Sequence, residues 1–205
     1  MGRFMAALSV AAFLTTSVAI AVAAQANGPA VIADIDAYWA GQFAAAGQPY
    51  SSPEVVAVEQ SIETGCGTFV PAIVAGYCPL DGTIYYSAPA ARDLSATNGD
   101  FAWVTILAHE WGHHAQSRFL LGGPPTRESE LQADCLAGAY ANDAAARDLI
   151  DTGQLTEAVA IAAQSGDASW LPEDAPGAHG SGPERASAFS RGYVSGIGGC
   201  DLGTG

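Results

Sequence analysis

The sequence predicts a single α+β domain that is mostly helical, with a small β-sheet. The chain has 205 residues, a length that suits one domain and allows a sizeable buried core. Apolar residues make up 49% of it and charged residues 14%, which is typical of a globular protein. Segments with helical periodicity outnumber those with strand composition, and no internal repeat or second domain boundary interrupts them.

The first element of the domain is an amphipathic helix over Val31–Phe43. Its apolar side chains Ile32, Ile35, Trp39 and Phe43 recur near one helical face. The run Ser51-Ser52-Pro53 then predicts a helical turn that begins at about Glu54.

The middle of the chain has strand and loop signals. Residues 65–82 are rich in Gly, Pro and Cys, which predicts a loop with short strands. Thr83–Tyr86 has strand composition, and Asp81-Gly82 supplies the turn before it.

The second half of the chain predicts four helices. A long helix over Phe101–Leu120 ends at Gly122-Gly123-Pro124-Pro125, and Thr126 can cap the next helix, which runs to about Ala146. Residues 101–108 are apolar on nearly every side, so we expect the first of these helices to be buried. The last two helices flank a Gly/Pro-rich linker over residues 165–183 and are predicted at Leu155–Gln164 and Glu184–Tyr193.

The charge balance excludes some partners. The chain has 21 acidic and 7 basic residues, all of the latter Arg, and a net charge of −14. Nucleic acid binding needs clustered cations, so no nucleic acid partner is expected. A negative surface also disfavours adsorption to anionic lipid by charge alone.

Residues 1–26 predict an export segment, and residues 27–205 form the predicted working domain. An uncharged apolar run over residues 4–24 leads into small-x-small cleavage patterns. The run is also long enough to remain as an N-terminal membrane anchor, which would be the only membrane association expected. Under both interpretations the domain is exported and is secreted, periplasmic or held at the cell surface.

Export changes the interpretation of the four cysteines. Cys66, Cys78, Cys135 and Cys200 form an even set, which favours two disulfides in an oxidising compartment. Of the three possible pairings, Cys66 with Cys78 is the natural local one and would contribute about 3 kcal/mol by loop closure. Cys135 then pairs with Cys200. A cysteine metal site is the alternative, but the C-x-x-C spacing that such sites favour is missing.

The run over residues 108–114 (AHEWGHH) carries the chemistry. His109 and His113 are four residues apart on a predicted helix, so both imidazoles can reach one zinc ion. Glu110 follows the first ligand directly, which places it beside the metal, where it can act as general base. The alternative is a helix end whose His and Glu side chains are merely solvated.

A third zinc ligand is expected from Glu130. It forms an E-x-x-x-D pair with Asp134 on the next predicted helix, so both carboxylates share one face. Asp134 would accept a hydrogen bond from the free ring nitrogen of a ligand histidine. Glu128 and His179 are the fallback ligands, and a solvated acidic face is the remaining alternative.

The sequence resembles the bacterial neutral zinc metallopeptidase family. This resemblance covers most of the chain from about Cys66 to Cys200. It rests on four runs: YCPLDGTIYY (residues 77–86), AHEWGHHAQ (108–116), ELQADCLAG (130–138) and HGSGPERASAFSRGY (179–193). It implies a zincin-like fold of the gluzincin kind, with one zinc ion held by two His and one Glu.

Carried over residue by residue, the resemblance implies His109, His113 and Glu130 as ligands and Glu110 as the base. Trp111 and Tyr140 stand where other bulky apolar residues are common in the family. This departure bears on the shape of the pocket and not on metal binding. The chain before residue 60 shows no recognisable match.

Other candidates carry weaker signals. Tyr85 and Tyr86 lie on a predicted strand that could be the edge strand with which an extended substrate pairs, or could simply pack. His114 points about 100° away from His113, so we expect a surface or supporting role. His179 and Tyr193 are candidates for stabilising an oxyanion, with loop or packing roles as the alternative.

The function predicted from these patterns is zinc-dependent hydrolysis of peptide bonds in a peptide or protein substrate. One alternative is a zinc-binding adaptor or chaperone module with little turnover, which has no need for Glu110. The other is a zinc hydrolase that acts on an amide or ester outside peptides.

Overall fold

The computed structural model describes residues 28–119, 125–172, 175 and 177–202. Within these residues the chain forms six α-helices, a small three-stranded mixed sheet and a separate two-stranded sheet of β2 and β3, which confirms the predicted α+β fold. The helices are α1 (Pro29–Ala45), α2 (Ala88–Asn98), α3 (Asp100–Arg118), α4 (Arg127–Ala146), α5 (Thr152–Gln164) and α6 (Gly182–Ser195). The strands are β1 (Glu54–Val58), β2 (Ile62–Thr64), β3 (Gly67–Phe69), β4 (Ala75–Cys78) and β5 (Thr83–Ser87).

The main sheet has the order β1-β5-β4, so β5 is its central strand. β1 pairs with β5 in parallel, and β4 pairs with it antiparallel, with Tyr77 opposite Ile84. The idea that Tyr85 and Tyr86 form an edge strand is therefore wrong, because both sides of β5 are already paired. Within the described residues β1 and β4 are the two edge strands of this sheet, and β4 is the one that packs against the long helix α3.

The predicted helical turn at Glu54 is also wrong. Glu54 is the first residue of β1, whose β-branched side chains suit a pleated strand and whose last residue, Val58, is buried. Pairing with β5, almost thirty residues later, overrides the local Ser-Ser-Pro signal. Helix α2, over Ala88–Asn98, had no counterpart in the sequence prediction.

Helix α3 lies in the core, as the all-round apolar pattern of its first half predicts. Trp103, Leu107 and Trp111 are among its buried side chains. α4 packs closely against it, because a Cβ at Gly112 would lie only 3.0 Å from Cα of Ala133. Glycine at this position therefore lets the two helices approach at the level of the histidine motif.

Helix α4 begins where its capping residue predicts. The Thr126 hydroxyl accepts the backbone N–H of Ser129 at 3.2 Å, and the Ser129 side chain accepts the N–H of Thr126 at 2.9 Å. This reciprocal pair satisfies two backbone donors at the start of the helix and fixes where its first turn lies. On its other side α4 packs against α6, where Gly138 and Gly192 allow backbone contact.

Both predicted disulfides are present. Cys66 is bonded to Cys78 at the end of β4, and Cys135 on α4 is bonded to Cys200, which follows α6. The second bond closes a loop of 65 residues, which contributes about 4 kcal/mol on the chain-entropy model. Disulfides are typical of proteins in an oxidising, exported environment.

The predicted leader over residues 1–26 lies outside the described residues, and the boundary at residue 27 stays a prediction. The glycine-proline turn over residues 122–125 also lies mostly outside them. No helix within the described part of the chain is long and apolar enough to span a bilayer.

Candidate metal centre

Three side chains that could be metal ligands converge between α3 and α4. Nε2 of His109 lies 3.1 Å from Nε2 of His113 and 3.2 Å from Oε2 of Glu130. Nε2 of His113 lies 3.4 Å from Oε1 of Glu130. His109, His113 and Glu130 form the group of residues in the described structure that could hold a metal ion.

These distances fit a tetrahedral zinc ion. Zinc binds histidine nitrogen and carboxylate oxygen at about 2.0–2.1 Å, so two of its ligand atoms should lie about 3.3 Å apart. The separations of 3.1, 3.2 and 3.4 Å lie close to that value, although the last two run to different oxygens of the Glu130 carboxylate. The site also has the composition, two His and one carboxylate, that catalytic zinc sites use while a fourth position stays open.

The local sequence explains why the three side chains meet. His109 and His113 are one turn apart on α3, so they lie on one face. Glu130 is in the first turn of α4, whose start is fixed by the Thr126 cap. The close approach at Gly112 brings this turn within reach of both histidines.

His109 is held from behind by Asp134. Oδ1 of Asp134 lies 2.8 Å from Nδ1 of the ring, as the E-x-x-x-D spacing predicts. A carboxylate can only accept here, so Nδ1 carries a proton and Nε2 faces the other ligands. Such a partner fixes the orientation of a ligand imidazole and raises its basicity.

Arg185, on α6, completes this buried network. Its guanidinium donates to both carboxylate oxygens of Asp134 at 2.8 Å and to the carbonyl of Ser165 at 2.7 Å. Arg185 and Asp134 are only 5% and 3% exposed. The bidentate pair holds Asp134 in place and supplies the cation that a buried carboxylate needs.

The electrostatics of the metal-free site favour charged side chains. Burial disfavours the imidazolium of His109, but the neighbouring Asp134 and Glu130 carboxylates raise its pKa to about 10. Burial likewise works against ionised Glu130, yet the two histidines hold the pKa of that carboxyl well below its usual range. In the metal-free cluster the positive charge of protonated His109 thus compensates the buried carboxylates, a place that a bound cation can take once the proton leaves.

Glu110 lies in the same groove as the three ligand atoms. The groove has a volume of about 870 Å³ and is lined on one side by β4, including Ala75, Gly76 and Tyr77. Oε2 of Glu110 accepts the backbone N–H of Tyr77 at 2.8 Å. This contact fixes the carboxylate at the junction of α3 and the edge of β4.

Of the two candidates for stabilising an oxyanion, His179 lies at the groove and Tyr193 does not. His179 lines the groove, with its ring 3.3 Å from Oδ1 of Asp167. Tyr193 is not among the residues that line it, because on α6 it lies two turns beyond Arg185, about 12 Å further along the axis. The structure does not bring Tyr193 to the metal site.

Two other side chains lie outside the ligand cluster. Glu128 is exposed on the first turn of α4 and does not belong to it. His114 is only 2% exposed, so a surface role is wrong. Its ring contacts the carbonyl of Ser51, just before β1, at 2.8 Å and the hydroxyl of Tyr77, on β4, at 3.3 Å. These contacts link α3 to the main sheet.

Sequence reasoning missed two residues beside the ligands. Arg185 lies in the last run that resembles the family, but nothing in its spacing connects it to Asp134, 51 residues earlier. Gln116 lies 2.9 Å from Nδ1 of His113. Its position three residues after the ligand, on the same helical face, was a usable signal.

The sequence matches the family described as "Putative neutral zinc metallopeptidase" over residues 15–123 and 126–202, and the chain belongs to this family. This confirms the resemblance seen in the sequence. The description and the His-His-Glu cluster together imply zinc as the metal.

Two similar bacterial proteins are themselves described as uncharacterized. The chain is 33% identical over 193 residues to the uncharacterized protein YpfJ of Escherichia coli K12, covering 81% of this chain and 66% of that protein. It is 30% identical over 181 residues to the uncharacterized protein Rv2575 of Mycobacterium tuberculosis H37Rv, covering 72% of this chain and 60% of that protein. The chain is thus similar to about two thirds of each relative. No solved structure matches it.

Proposed function

We propose that this protein is an exported zinc peptidase that hydrolyses peptide bonds in extended polypeptide segments. The observation that carries this proposal is the position of Glu110. Its carboxylate lines one groove together with His109, His113 and Glu130 and is hydrogen-bonded to the edge strand of that groove. A ligand set, a base and a surface for a polypeptide backbone therefore share one cavity.

In the proposed reaction, His109, His113 and Glu130 hold the zinc ion. When bound, zinc supplies a Lewis acid that polarises the scissile carbonyl and makes water acidic enough to be deprotonated near neutral pH. Glu110 accepts the proton of the attacking water and then donates it to the leaving amine. The N–H of Tyr77 holds Oε2 of Glu110, so Oε1 would be the oxygen that accepts the proton.

The proposed substrate lies along β4. The N–H of Tyr77 points away from β5 towards Glu110, while the carbonyl of Val74 accepts the N–H of Ser87 on β5. Backbone groups of successive residues alternate in direction, so the N–H and carbonyl of Ala75 and the carbonyl of Tyr77 also face the groove, while the N–H of Tyr77 is bonded to Glu110. An extended peptide can add to such an edge by main-chain hydrogen bonds.

The neighbourhood of the groove also suggests which side chains it accepts. Val74 and Leu80 line it and are exposed, and Leu80 is 78% exposed. These two residues favour substrate segments with apolar side chains. The negative net charge of the chain favours segments that are neutral or positively charged over acidic ones. His179, at the groove, is the remaining candidate for stabilising the oxyanion.

The test compares the Glu110→Gln variant with wild type for zinc content and for cleavage of a peptide library. Glutamine keeps the hydrogen bond from Tyr77 but cannot accept the proton. We expect about one zinc per chain in both proteins and a loss of about 10²–10⁴-fold in kcat/KM for the variant. His109→Ala should lose both zinc and activity.

Glu128→Gln is the matched control, because Glu128 is exposed and outside the cluster; it should behave as wild type. Cleavage by the Glu110→Gln protein at the wild-type rate would refute the mechanism. A wild-type protein that binds zinc and cleaves no peptide, but hydrolyses a small amide or ester, would favour the hydrolase alternative. Zinc binding with no hydrolysis of any substrate would favour the adaptor.

A further inference from the structure

Two glutamine amides connect His113 to the backbone of the C-terminal segment. Oε1 of Gln116 lies 2.9 Å from Nδ1 of His113. Nε2 of Gln116 donates to the carbonyl of Ser129 at 2.7 Å and to Oε1 of Gln132 at 2.8 Å. Gln116 is 5% exposed, and each of these contacts is at least partly buried.

The far end of this chain of amides is anchored on backbone carbonyls. Nε2 of Gln132 donates to the carbonyl of Cys200 at 3.3 Å and to the carbonyl of Asp201. Cys200 is held against α4 by its disulfide to Cys135, one helical turn after Gln132. The disulfide therefore keeps the two carbonyls beside the amide that contacts them.

These backbone carbonyls determine which group donates in each hydrogen bond between Gln132, Gln116 and His113. A carbonyl oxygen can only accept, so the amide nitrogen of Gln132 must face Cys200 and its oxygen must face Gln116. Gln116 must then present its nitrogen to Gln132 and Ser129. Its oxygen is left for Nδ1 of His113, so that nitrogen is the donor.

This assignment has a consequence for the metal. If Nδ1 of His113 carries the proton, Nε2 has the free lone pair, and Nε2 is the atom that lies 3.1 Å from Nε2 of His109. If the Gln116 amide were rotated by 180°, its NH₂ group would face the protonated Nδ1 of His113. Its oxygen would then face the oxygens of Ser129 and Gln132, and both of those hydrogen bonds would be lost. A buried amide with unmatched partners is costly, which holds Gln116 in one orientation.

We propose that Gln116 is a positioning residue that fixes the metal-binding tautomer and the ring orientation of His113. Gln132 in turn fixes Gln116 from the disulfide-anchored C-terminal segment. Asp134 with Arg185 does the same for His109, so the two histidines are oriented from different directions. This inference rests on the proposed zinc site but not on peptide hydrolysis.

The test measures zinc affinity by competition with a chromophoric chelator in wild type, Gln116→Leu and Gln132→Leu. Loss of a hydrogen-bond partner of a metal ligand costs about 10–100-fold in affinity, and we expect a loss in this range for Gln116→Leu. For Gln132→Leu, which does not touch the ligand, we expect a smaller loss of a few fold. Gln164→Leu is the control, since Gln164 bonds the exposed side chain of Asn98 and should leave affinity unchanged.

A second readout reports on geometry. Cobalt(II) substituted at the site should give a visible absorption spectrum that changes in Gln116→Leu and Gln132→Leu but not in Gln164→Leu. The double variant Gln116→Leu/Gln132→Leu should bind zinc as Gln116→Leu does, because Gln132 acts through Gln116. Additive losses in the double variant would overturn that part of the proposal.

The outcomes separate this inference from the proposed function. Wild-type zinc affinity and an unchanged cobalt spectrum in Gln116→Leu would overturn the inference alone, whatever the peptidase activity. If Gln116→Leu fails to fold, the same two results for Gln132→Leu overturn it. An equal loss in Gln164→Leu would also do so, since the effect would then be general. A wild-type protein that binds no zinc removes both proposals.

Discussion

The guanidinium of Arg185 binds both carboxylate oxygens of Asp134, with each hydrogen bond 2.8 Å long. The two residues are 51 positions apart in the sequence, yet they form the charged support of the metal site. α6 reaches this position because Gly138 and Gly192 let its backbone contact that of α4. The packing of the last helix is therefore a condition for the charge distribution around His109.

We expect Arg185→Ala to lower both stability and zinc affinity. Removing one partner of a buried ion pair leaves an uncompensated charge and costs about 3–5 kcal/mol. Urea unfolding of the zinc-free protein measures this loss, and chelator competition should show zinc binding weakened by about 10–100-fold. Arg92→Ala is the control, because Arg92 and Glu59 form an exposed pair. If the two variants were equally stable, Arg185 would not have the role described.

Glu130→Gln is expected to lower the zinc content well below one ion per chain. The amide keeps the size of the side chain but removes the negative charge that faces the two histidines. Elemental analysis after dialysis against a weak chelator measures the effect, with Glu128→Gln on the same helical turn as the control. Full zinc in the Glu130→Gln protein would mean that the third ligand has been wrongly assigned.

Gly112→Ala should weaken zinc binding through helix spacing alone. The added Cβ would lie 3.0 Å from Cα and 3.1 Å from the carbonyl oxygen of Ala133, so α4 must move away and carry Glu130 with it. We expect about a tenfold loss of zinc affinity, comparable to the loss of a supporting hydrogen bond. Gly41→Ala meets no atom within 4 Å and should stabilise α1 by about 0.5–1 kcal/mol. An unchanged affinity in Gly112→Ala would show that the helices tolerate the wider spacing.

Zinc binding should release a proton from His109 at pH 8. The pKa of His109 is raised to about 10 in the metal-free protein, so its ring is still protonated at a pH where an ordinary imidazole, with a pKa of about 6.5, is neutral. Zinc takes the place of that proton on Nε2, and its affinity should rise about tenfold per pH unit between these values. Calorimetry in two buffers of different ionisation enthalpy counts the protons.

The stability of the metal-free protein should change with pH in the direction opposite to zinc affinity. Because the pKa is raised on folding, protonated His109 stabilises the metal-free fold fully below pH 6.5, and this contribution is lost as the pH rises through about 10. The metal-free protein should therefore lose stability over that window while the zinc-bound protein does not. Zinc binding with no proton released at pH 8 would contradict the raised pKa.

The sequence predicted those parts of the site that depend on spacing within a helix. His109 with His113 and Glu130 with Asp134 are pairs four residues apart, and helical geometry alone puts each pair on one face. The Thr126 cap is likewise a local signal. The hydrogen bond between Asp134 and His109 then follows once the two helices pack.

Features that depend on distant contacts could not be predicted. The strand at Glu54 forms because it pairs with β5, and a local Ser-Ser-Pro pattern carries no information about that partner. The order of strands, which makes β4 and not β5 the edge, has no signature in composition. Arg185 and Tyr193 lie on the same helix, and only tertiary packing decides which of them reaches the site.

The Cys135–Cys200 disulfide also has a consequence for the timing of biosynthesis. The three candidate ligands are complete once residue 130 has been made, but Arg185 and Cys200 come much later in the chain. A nascent polypeptide that has emerged only as far as α4 has the histidines without the charge pair and the covalent bond that support them. The contacts that support His109 are therefore complete only when the chain has been made as far as Cys200 and has met conditions that oxidise its cysteines.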